Sequence, residues 1–203
     1  MADKIFDKFL LGYKDFRKKY AKGQSSLMRE LSAKGQSPKI MMIACCDSRV
    51  DPAVLLQCDP GDIFMIRNVA NIVPPYEIDD KHHGTSAALE FAVKFLKIEH
   101  LIIMGHSQCG GILALMNQLN EQTDFIHQWV DLIKNQSCYL HDPDLCAMQS
   151  LGISYQHCLT FPWIKQRVDD GFLQIHQWFF DIQQGKILKF DEINKTFVPL
   201  NEF

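Results

Sequence analysis

Two short segments of the sequence combine residue types that bind soft metal ions. One contains the adjacent cysteines Cys45 and Cys46, and the other runs from His106 to Cys109. Zinc prefers thiolate sulfur and imidazole nitrogen in proteins, and a structural zinc site normally takes four such ligands. Two thiols and one imidazole leave the fourth position to a water molecule. Zinc lowers the pKa of its bound water to near neutrality. The residue types therefore predict an open, chemically active metal site.

A carboxylate and a guanidinium follow the first cysteine at short spacing. Asp47 and Arg49 lie two and four residues beyond Cys45, so the same turn carries both side chains toward the predicted metal. Groups of this kind beside a metal orient its ligands and its bound water. We therefore expect Asp47 and Arg49 to take part in the chemistry of the site.

An apolar run precedes each of the two segments, over residues 40–44 and 101–104. Continuous apolar runs that end in turn residues are typical of strands buried on both faces of a parallel sheet. In open α/β sheets, ligands bind at the carboxyl ends of such strands. The two segments are therefore expected to meet at one edge of a sheet.

The remaining pattern predicts an α/β domain with an N-terminal helical arm. Further strands are predicted over residues 63–67, 172–180 and 187–190. Helices are predicted over 3–20, 26–33, 51–57, 85–97 and 112–119, and in series from 124 to 168. Prolines should interrupt that series near Asp142-Pro143 and Phe161-Pro162, because proline is tolerated only where a helix begins. The tail from Asn194 gives no clear pattern.

The helix over residues 85–97 is strongly apolar and should cross over to the strand that carries His106. Thr85 or Ser86 is expected to cap it. The helical spacing predicts a buried face made of Ala88, Phe91, Ala92, Phe95 and Leu96.

Composition limits the function classes. The chain has 203 residues, of which 47% are hydrophobic and 22% charged, as in ordinary globular proteins. A net charge of -3 and a pI near 6.2 provide no basic surface for nucleic acid or acidic membranes. We find no apolar run that could span a membrane and no signal peptide, which predicts a cytoplasmic protein. Seven cysteines, three of them near the predicted site, indicate reduced thiols.

Other interpretations of these residues are weaker. Cysteine protease chemistry pairs a cysteine with a histidine without metal, whereas a second nearby thiol favours zinc. A zinc deaminase requires His-x-Glu and Pro-Cys-x-x-Cys, which the sequence lacks. His82 and His83 are able to carry protons, although a solvated loop pair is the simpler interpretation. Irregular spacing predicts core or surface roles, not metal binding, for Cys138, His141, Cys146, His157 and Cys158.

Four motifs together resemble the β-class carbonic anhydrases, and within them the plant-like branch. They are Gly35-Gln36-Ser37-Pro38-Lys39, Cys45-x-Asp47-Ser48-Arg49-Val50, Arg67-Asn68-Val69-Ala70-Asn71 and Gly105-His106-Ser107-x-Cys109-Gly110-Gly111. Their order and spacing form a specific combination. The resemblance runs nearly continuously from Gly35 to Met116 and is weaker afterwards.

The resemblance implies a fold and an assembly. It predicts a central, mostly parallel sheet of four parallel strands plus an antiparallel edge strand, flanked by helices. A helical arm over residues 1–34 would precede the zinc-binding domain over 35–203. Members of the family dimerise through their N-terminal helices and sheet edges, with active sites at the dimer interface. The expected partner is a second copy of the chain, and dimers, tetramers and octamers are all compatible.

The resemblance also implies a function, the reversible hydration of carbon dioxide to bicarbonate and a proton. It assigns Zn²⁺ to Cys45, His106 and Cys109, and catalysis to Asp47 with Arg49. The position of Cys46 more usually holds a small residue such as serine, and the spacing to Asp47 favours Cys45 as the ligand. The implied substrate-binding residues are Gln36, Phe64, Val69, Phe91 and Gly110.

Two details of the resemblance predict how the site behaves. Phe91 stands where plant-like members often have tyrosine, and Met42 stands where bicarbonate-regulated members have tryptophan. We therefore expect an unregulated site, open at neutral pH. Two alternatives remain, a hydrolase of carbon disulfide or carbonyl sulfide on the same fold, and a zinc-stabilised binding protein without turnover.

Overall fold

The computed structural model describes residues 4–79, 81–116, 123–134 and 142–200. These form two compact units, one comprising the chain up to Ser37 with Asp59–Gly61, and the other Pro38–Cys58 with the chain from Asp62 onward. The division at residue 35 into an arm and a catalytic domain stays a prediction. Within the described ranges, no helix combines the length and apolar character needed to cross a membrane.

The N-terminal unit consists of helices α1 (Lys4–Phe16) and α2 (Leu27–Lys34), with a π-helical turn over Arg17–Ala21 after α1. The helix α1 is amphipathic, as predicted, yet none of its residues is buried. The exposed apolar side chains, called the α1 apolar face below, are Ile5, Phe6, Phe9, Leu10, Leu11, Tyr13 and Phe16. Burying an apolar helix face is what normally stabilises a helix in a protein. Among the described residues, these side chains stay largely exposed to solvent.

The second unit is built on a six-stranded sheet in the order β2-β1-β3-β4-β5-β6. The strands are β1 (Ile40–Cys45), β2 (Ile63–Asn68), β3 (His100–His106), β4 (Gln174–Asp181), β5 (Lys186–Asp191) and β6 (Thr196–Pro199). Strands β1 to β4 are parallel, and β5 and β6 are antiparallel to their neighbours. The predicted fold class is confirmed. The strand β6 was not predicted, because four residues ending in proline carry no clear alternation.

The helices of this unit are α3 (Pro52–Leu55), α4 (Gly84–Glu90), α5 (Gly110–Met116), α6 (Ile126–Asp131), α7 (Pro143–Thr160) and α8 (Pro162–Asp169). Proline begins α3, α7 and α8, as expected where its missing N–H costs nothing. The carboxylates of Asp51 and Asp142 cap α3 and α7. The last residues of the predicted helix 112–119 lie outside the described residues.

The prediction for the helix after residue 84 was wrong in two respects. The helix begins one residue before Thr85, whose hydroxyl oxygen instead accepts a hydrogen bond from the Asn68 side chain at 3.3 Å. From Phe91 onward the helix continues as a π-helix to Leu96. The buried apolar residues are Leu89, Ala92 and Val93, which share one face at the usual helical spacing. Ala92 was predicted correctly, whereas Phe91 and Phe95 lie on the other side and are 43% and 69% exposed.

The main core lies between the sheet and its helices, and β1 is an interior strand between β2 and β3. From Met41 to Cys45 every residue of β1 is buried, which explains its uninterrupted apolar sequence. The parallel register pairs Cys45 with Asn68 on β2 and Ala44 with Met104 on β3. Cys45 and His106 are the last residues of their strands and so emerge at the same edge of the sheet.

Two histidines meet near the amino ends of β3 and β4. His100 Nδ1 lies 3.0 Å from His176 Nε2. Burial lowers the pKa of His176 below its ordinary value of 6.5, and charge repulsion from the nearby His100 and Lys189 side chains lowers it further. The folded protein therefore favours neutral His176.

This pair predicts a dependence of stability on pH. Around and below pH 6.5 the unfolded chain binds more protons at His176 than the folded chain does, so stability is lost as the pH falls. We expect thermal melting between about pH 7.5 and 5.5 to show a smaller loss of Tm in His176→Gln than in the wild type. His127→Gln, at an exposed histidine on α6, is the control. An unchanged pH dependence in His176→Gln would contradict the prediction.

Candidate metal centre

The structure brings Cys45, His106 and Cys109 together at the carboxyl edge of the sheet. All three residues are buried. Their ligand atoms lie within 4.8 Å of one another, and the two sulfurs are 3.9 Å apart. Among the described residues, no other group of three or more histidine, cysteine or acidic side chains is placed to hold a metal ion. The geometry thus fits the predicted set of ligands.

The imidazole of His106 has one nitrogen engaged and one free. Its Nδ1 lies 2.9 Å from the carbonyl oxygen of Ser107. A carbonyl can only accept, so Nδ1 carries the proton and Nε2 keeps its lone pair. This Nε2 is buried and has no hydrogen-bond partner in the described structure. An unsatisfied buried acceptor costs about 1–3 kcal/mol, which coordination of a cation would offset.

The two thiols differ in acidity because the hydrogen bond between them favours the thiolate form of one and the neutral form of the other. The hydrogen bond with Cys109 and the backbone N–H groups of Asp47 and Ala70 outweigh the effect of burial and lower the pKa of Cys45 to about 4. The same hydrogen bond and burial raise the pKa of Cys109. The pair therefore holds one proton and one negative charge. A divalent cation would compensate the second thiolate, so these residues fit Zn²⁺.

The turn between His106 and Cys109 requires an uncommon backbone. Gln108 has φ of 54°, in the left-handed region. Hydrogen bonds from neighbouring elements hold this turn. Ser107 N donates to Phe180 O at 3.0 Å, Ile182 N donates to Ser107 Oγ at 2.9 Å, and Gln108 N donates to Asp144 Oδ1 at 3.0 Å. Backbone conformations of this kind persist where their surroundings hold them.

A second turn, Val69–Asn71, covers the site from the end of β2. Ala70 has φ of 61°, and its N–H is directed to the Cys45 sulfur. The Asn68 side chain brackets this turn by accepting from Ile72 N at 2.8 Å and donating to Ile72 O at 2.9 Å. A Cβ on Gly111 would lie 2.8 Å from Val69 Cγ1 and 2.9 Å from Ala70 Cβ. Glycine is therefore needed for α5 to approach the turn.

Asp47 and Arg49 form a two-pronged ion pair beside the metal ligands. Arg49 Nε donates to Asp47 Oδ1 at 2.9 Å and Nη2 donates to Oδ2 at 2.7 Å. The backbone N–H of Arg49 also donates to Oδ1 at 2.9 Å. These bonds hold the pKa of the Asp47 carboxyl well below its usual range. Asp47 is therefore a fixed hydrogen-bond acceptor at neutral pH.

Arg67 organises this turn, a role that the sequence analysis did not assign. Its guanidinium donates to Cys45 O at 2.8 Å, to Asp47 O at 2.6 Å and to the Asp51 carboxylate at 2.6 Å. One planar group thus fixes the backbone from Cys45 to Asp47. The signal in the sequence was an arginine near the end of the strand β2.

The residues assigned to substrate binding lie in different places. Phe64 and Phe91 stack with ring centroids 5.8 Å apart, and Phe91 stacks on Phe95 at 5.5 Å. Val69 lies in the turn beside Cys45, and Gly110 begins α5 with open space where a Cβ would be. Gln36 is exposed and belongs to the N-terminal unit. Their roles toward substrate stay predictions.

The second cysteine–histidine set does not form a metal group among the described residues. Cys138 and His141 lie outside them. His157 Nδ1 donates to Val73 O at 2.7 Å, and Cys158 is a free thiol whose pKa is raised by complete burial. Cys146 is disulfide-bonded, so the expectation of reduced thiols fails for this residue. It holds for Cys45, Cys46, Cys58, Cys109 and Cys158.

The histidine pair of the loop before α4 is near the surface. His82 is exposed, and His83 Nε2 lies 2.6 Å from Asp79 Oδ1. This contact and the hydrogen bonds from Lys81 lower the pKa of Asp79 to about 2. The contact makes His83 part of the loop structure, and a role in proton transfer stays untested.

Comparisons with known proteins agree with this geometry. The family model for carbonic anhydrase matches residues 40–187. Beta carbonic anhydrase 5, chloroplastic, of Arabidopsis thaliana is 39% identical over 73% of the chain and 53% of its own length. A carbonic anhydrase of Synechocystis sp. is 34% identical over 92% of the chain and 72% of its own length. The chain thus spans about half of the first relative and most of the second.

Solved structures show the same fold. The β-carbonic anhydrase CcaA has 32% sequence identity and a TM-score of 0.84, covering 97% of this chain and 100% of that one. A tetrameric β-carbonic anhydrase from Sordaria macrospora has 27% identity and a TM-score of 0.70, covering 90% and 92%. With the family model matching most of the chain, these similarities show that the protein belongs to the β-class carbonic anhydrases.

Proposed function

We propose that the protein catalyses the zinc-dependent, reversible hydration of carbon dioxide to bicarbonate and a proton. The observation that carries this proposal is the buried Cys45–His106–Cys109 group with an unpartnered imidazole nitrogen, next to an ionised carboxylate locked by arginine. Three ligands leave zinc a free position, as in other catalytic zinc sites. Membership of the family supports the same reaction.

Each residue has a defined task in this proposal. Cys45, His106 and Cys109 would hold Zn²⁺, and the bound metal would supply acidified water as a nucleophile near neutral pH. Asp47 would accept a hydrogen bond from that nucleophile and so orient a lone pair of its oxygen toward the carbon of the substrate. Because Arg49 keeps Asp47 ionised and fixed, the carboxylate accepts and does not donate.

The apolar residues shape the approach of a linear, nonpolar substrate. We propose that the side chains of Phe64, Val69 and Phe91 form the apolar wall of the substrate pocket. Gly110 would leave space for the substrate beside the metal ligands. The stacking of Phe64 on Phe91 keeps both rings in place.

A stopped-flow assay of carbon dioxide hydration on the purified, zinc-loaded protein tests the proposal. We expect hydration well above the buffer rate, abolished by removing zinc with a chelator and restored by adding it back. Carbon disulfide and carbonyl sulfide, tested in parallel, separate the alternative hydrolase. A zinc-loaded protein that turns over none of these substrates would support a binding role instead.

We propose that the chain self-associates as a dimer or tetramer. The α1 apolar face carries seven exposed apolar side chains, and Phe91 with Phe95 forms a separate exposed aromatic pair in the other unit. Exposed apolar clusters of this kind mark interaction surfaces. The similar enzyme from Sordaria macrospora is described as tetrameric. Light scattering that gives a monomer at micromolar concentration would contradict self-association.

Gln36 is proposed to donate a hydrogen bond to substrate or bicarbonate from across a dimer interface. Its side chain is exposed in the single chain and so is available to a partner. We expect Gln36→Ala to lower kcat/KM about fivefold to tenfold, because one lost hydrogen bond is worth about 1 kcal/mol or more. Gln24→Ala, in the same unit, is the control. Equal kinetics for Gln36→Ala and wild type would remove Gln36 from the site.

A further inference from the structure

Asp144 lies on α7, in a part of the chain distant in sequence from every predicted site residue. Its carboxylate Oδ1 accepts a hydrogen bond from Gln108 N at 3.0 Å. Gln108 sits between His106 and Cys109 and is the residue with the left-handed backbone. We propose that Asp144 is a positioning residue for the reaction, which acts on Asp47 through Gln108 and Arg49.

The Gln108 residue is held on both sides. Its N–H donates to Asp144, and its carbonyl oxygen accepts from Arg49 Nη2 at 3.1 Å. The same Nη2 donates to Asp47 Oδ2 at 2.7 Å. Among the described residues, no other side chain bonds to the backbone of Gln108. A continuous chain of hydrogen bonds therefore runs from Asp144 to the carboxylate that faces the metal ligands.

The start of α7 is built to fix this contact. Asp142 caps the helix by accepting from Asp144 N at 3.1 Å and from Leu145 N at 3.0 Å. Pro143 occupies the first turn, where its fixed φ is compatible with a helix. The backbone of Asp144 is therefore fixed, and its side chain reaches the turn of the metal ligands from a rigid element.

A competing explanation is that Asp144 only stabilises α7. Acidic residues in the first turn interact favourably with the helix dipole. Asparagine separates the two roles, because it loses the charge but keeps an oxygen that can accept from Gln108 N. Serine keeps a polar surface, yet its side chain is one carbon shorter and does not reach the same point.

The kinetic test compares Asp144→Ala, Asp144→Ser and Asp144→Asn in the zinc-loaded enzyme and rests on the proposed function. We expect kcat/KM to fall about tenfold in the alanine and serine variants with full zinc content, and to stay within about threefold of wild type in Asp144→Asn. Gln149→Ala, on the exposed surface of α7, is the control and should leave kinetics unchanged. Asp144→Ser keeps the test informative if the alanine variant does not fold.

A double-mutant cycle tests whether Asp144 acts through arginine. In an Arg49→Ala background, Asp144→Ala should cause less than a twofold further loss of kcat/KM, because the link that it supports is already broken. A structural effect on the turn or on zinc would instead lower activity in both backgrounds. An equal loss in both backgrounds therefore overturns the proposal.

A spectroscopic readout is independent of turnover. The Nε–H signal of Arg49 in a ¹H–¹⁵N spectrum, assigned by its loss in Arg49→Lys, should shift or broaden in Asp144→Ala and return toward its wild-type position in Asp144→Asn. An unchanged signal in Asp144→Ala overturns the positioning role. If the wild type hydrates no carbon dioxide but the signal responds as expected, the proposed function fails while the positioning role stands.

Discussion

Replacement of Cys45 by alanine is expected to abolish zinc binding and carbon dioxide hydration together. The variant leaves one thiol and one imidazole, which is too few ligands to hold zinc at the open site. It also removes the hydrogen-bond partner of the buried Cys109 thiol, since the two sulfurs are 3.9 Å apart. We expect zinc stoichiometry near zero and activity reduced by about a thousandfold or more, because the acidified water is lost with the metal.

Metal analysis after gel filtration and a stopped-flow assay measure the two effects. His106→Ala and Cys109→Ala should behave like Cys45→Ala, with local loss of order because metal binding is coupled to folding of the site. Addition of a chelator should then lower the Tm of these variants less than it lowers the Tm of the wild type. A Cys45→Ala protein with full zinc occupancy would contradict the assignment of the ligand.

The neighbouring cysteine provides the matched control. Cys46 is exposed and does not belong to the buried group of Cys45, His106 and Cys109. Cys46→Ser should retain zinc and near-normal activity. Loss of metal in this variant, with retention in Cys45→Ala, would move the ligand role to Cys46.

The location of the site could be predicted from sequence because it depends on local rules. An apolar run that ends in Cys45 and another that ends in His106 specify two buried parallel strands, and the geometry of such strands places their ends together. Asp47 and Arg49 follow within one turn, so their proximity to each other needs no knowledge of the fold. The local pattern therefore predicted the group of Cys45, His106 and Cys109 and the ion pair.

The supporting contacts could not be predicted because they depend on the packing of distant elements. The contact between Asp144 and Gln108 joins α7 to the turn after β3, and no pattern in either segment indicates it. The helix that contains Phe91 has apolar residues on more than one side, so periodicity alone does not decide which side faces the core. The structure buries Leu89, Ala92 and Val93 and leaves Phe91 exposed.

Arg49→Ala should leave zinc in place and inactivate the site. The substitution removes the bonds of 2.9 Å and 2.7 Å from the guanidinium to the Asp47 carboxylate, and leaves only the bond from the backbone N–H of residue 49. The carboxylate is then free to turn, and a zinc ion with three protein ligands has a position that a carboxylate can take. Asp47 would thereby exclude water from the metal.

We expect kcat/KM to fall about a hundredfold or more at unchanged zinc stoichiometry, since a preorganised hydrogen-bonding group is lost and the reactive position is blocked. Arg49→Lys should be intermediate, because lysine keeps the charge but lacks the planar fork that grips both carboxylate oxygens. The absorption spectrum of cobalt-substituted protein reports the ligands directly. A spectrum in Arg49→Ala identical to that of the wild type would contradict binding of Asp47 to the metal. The double variant Asp47→Asn with Arg49→Ala isolates the carboxylate as the cause, because its amide is a much weaker metal ligand.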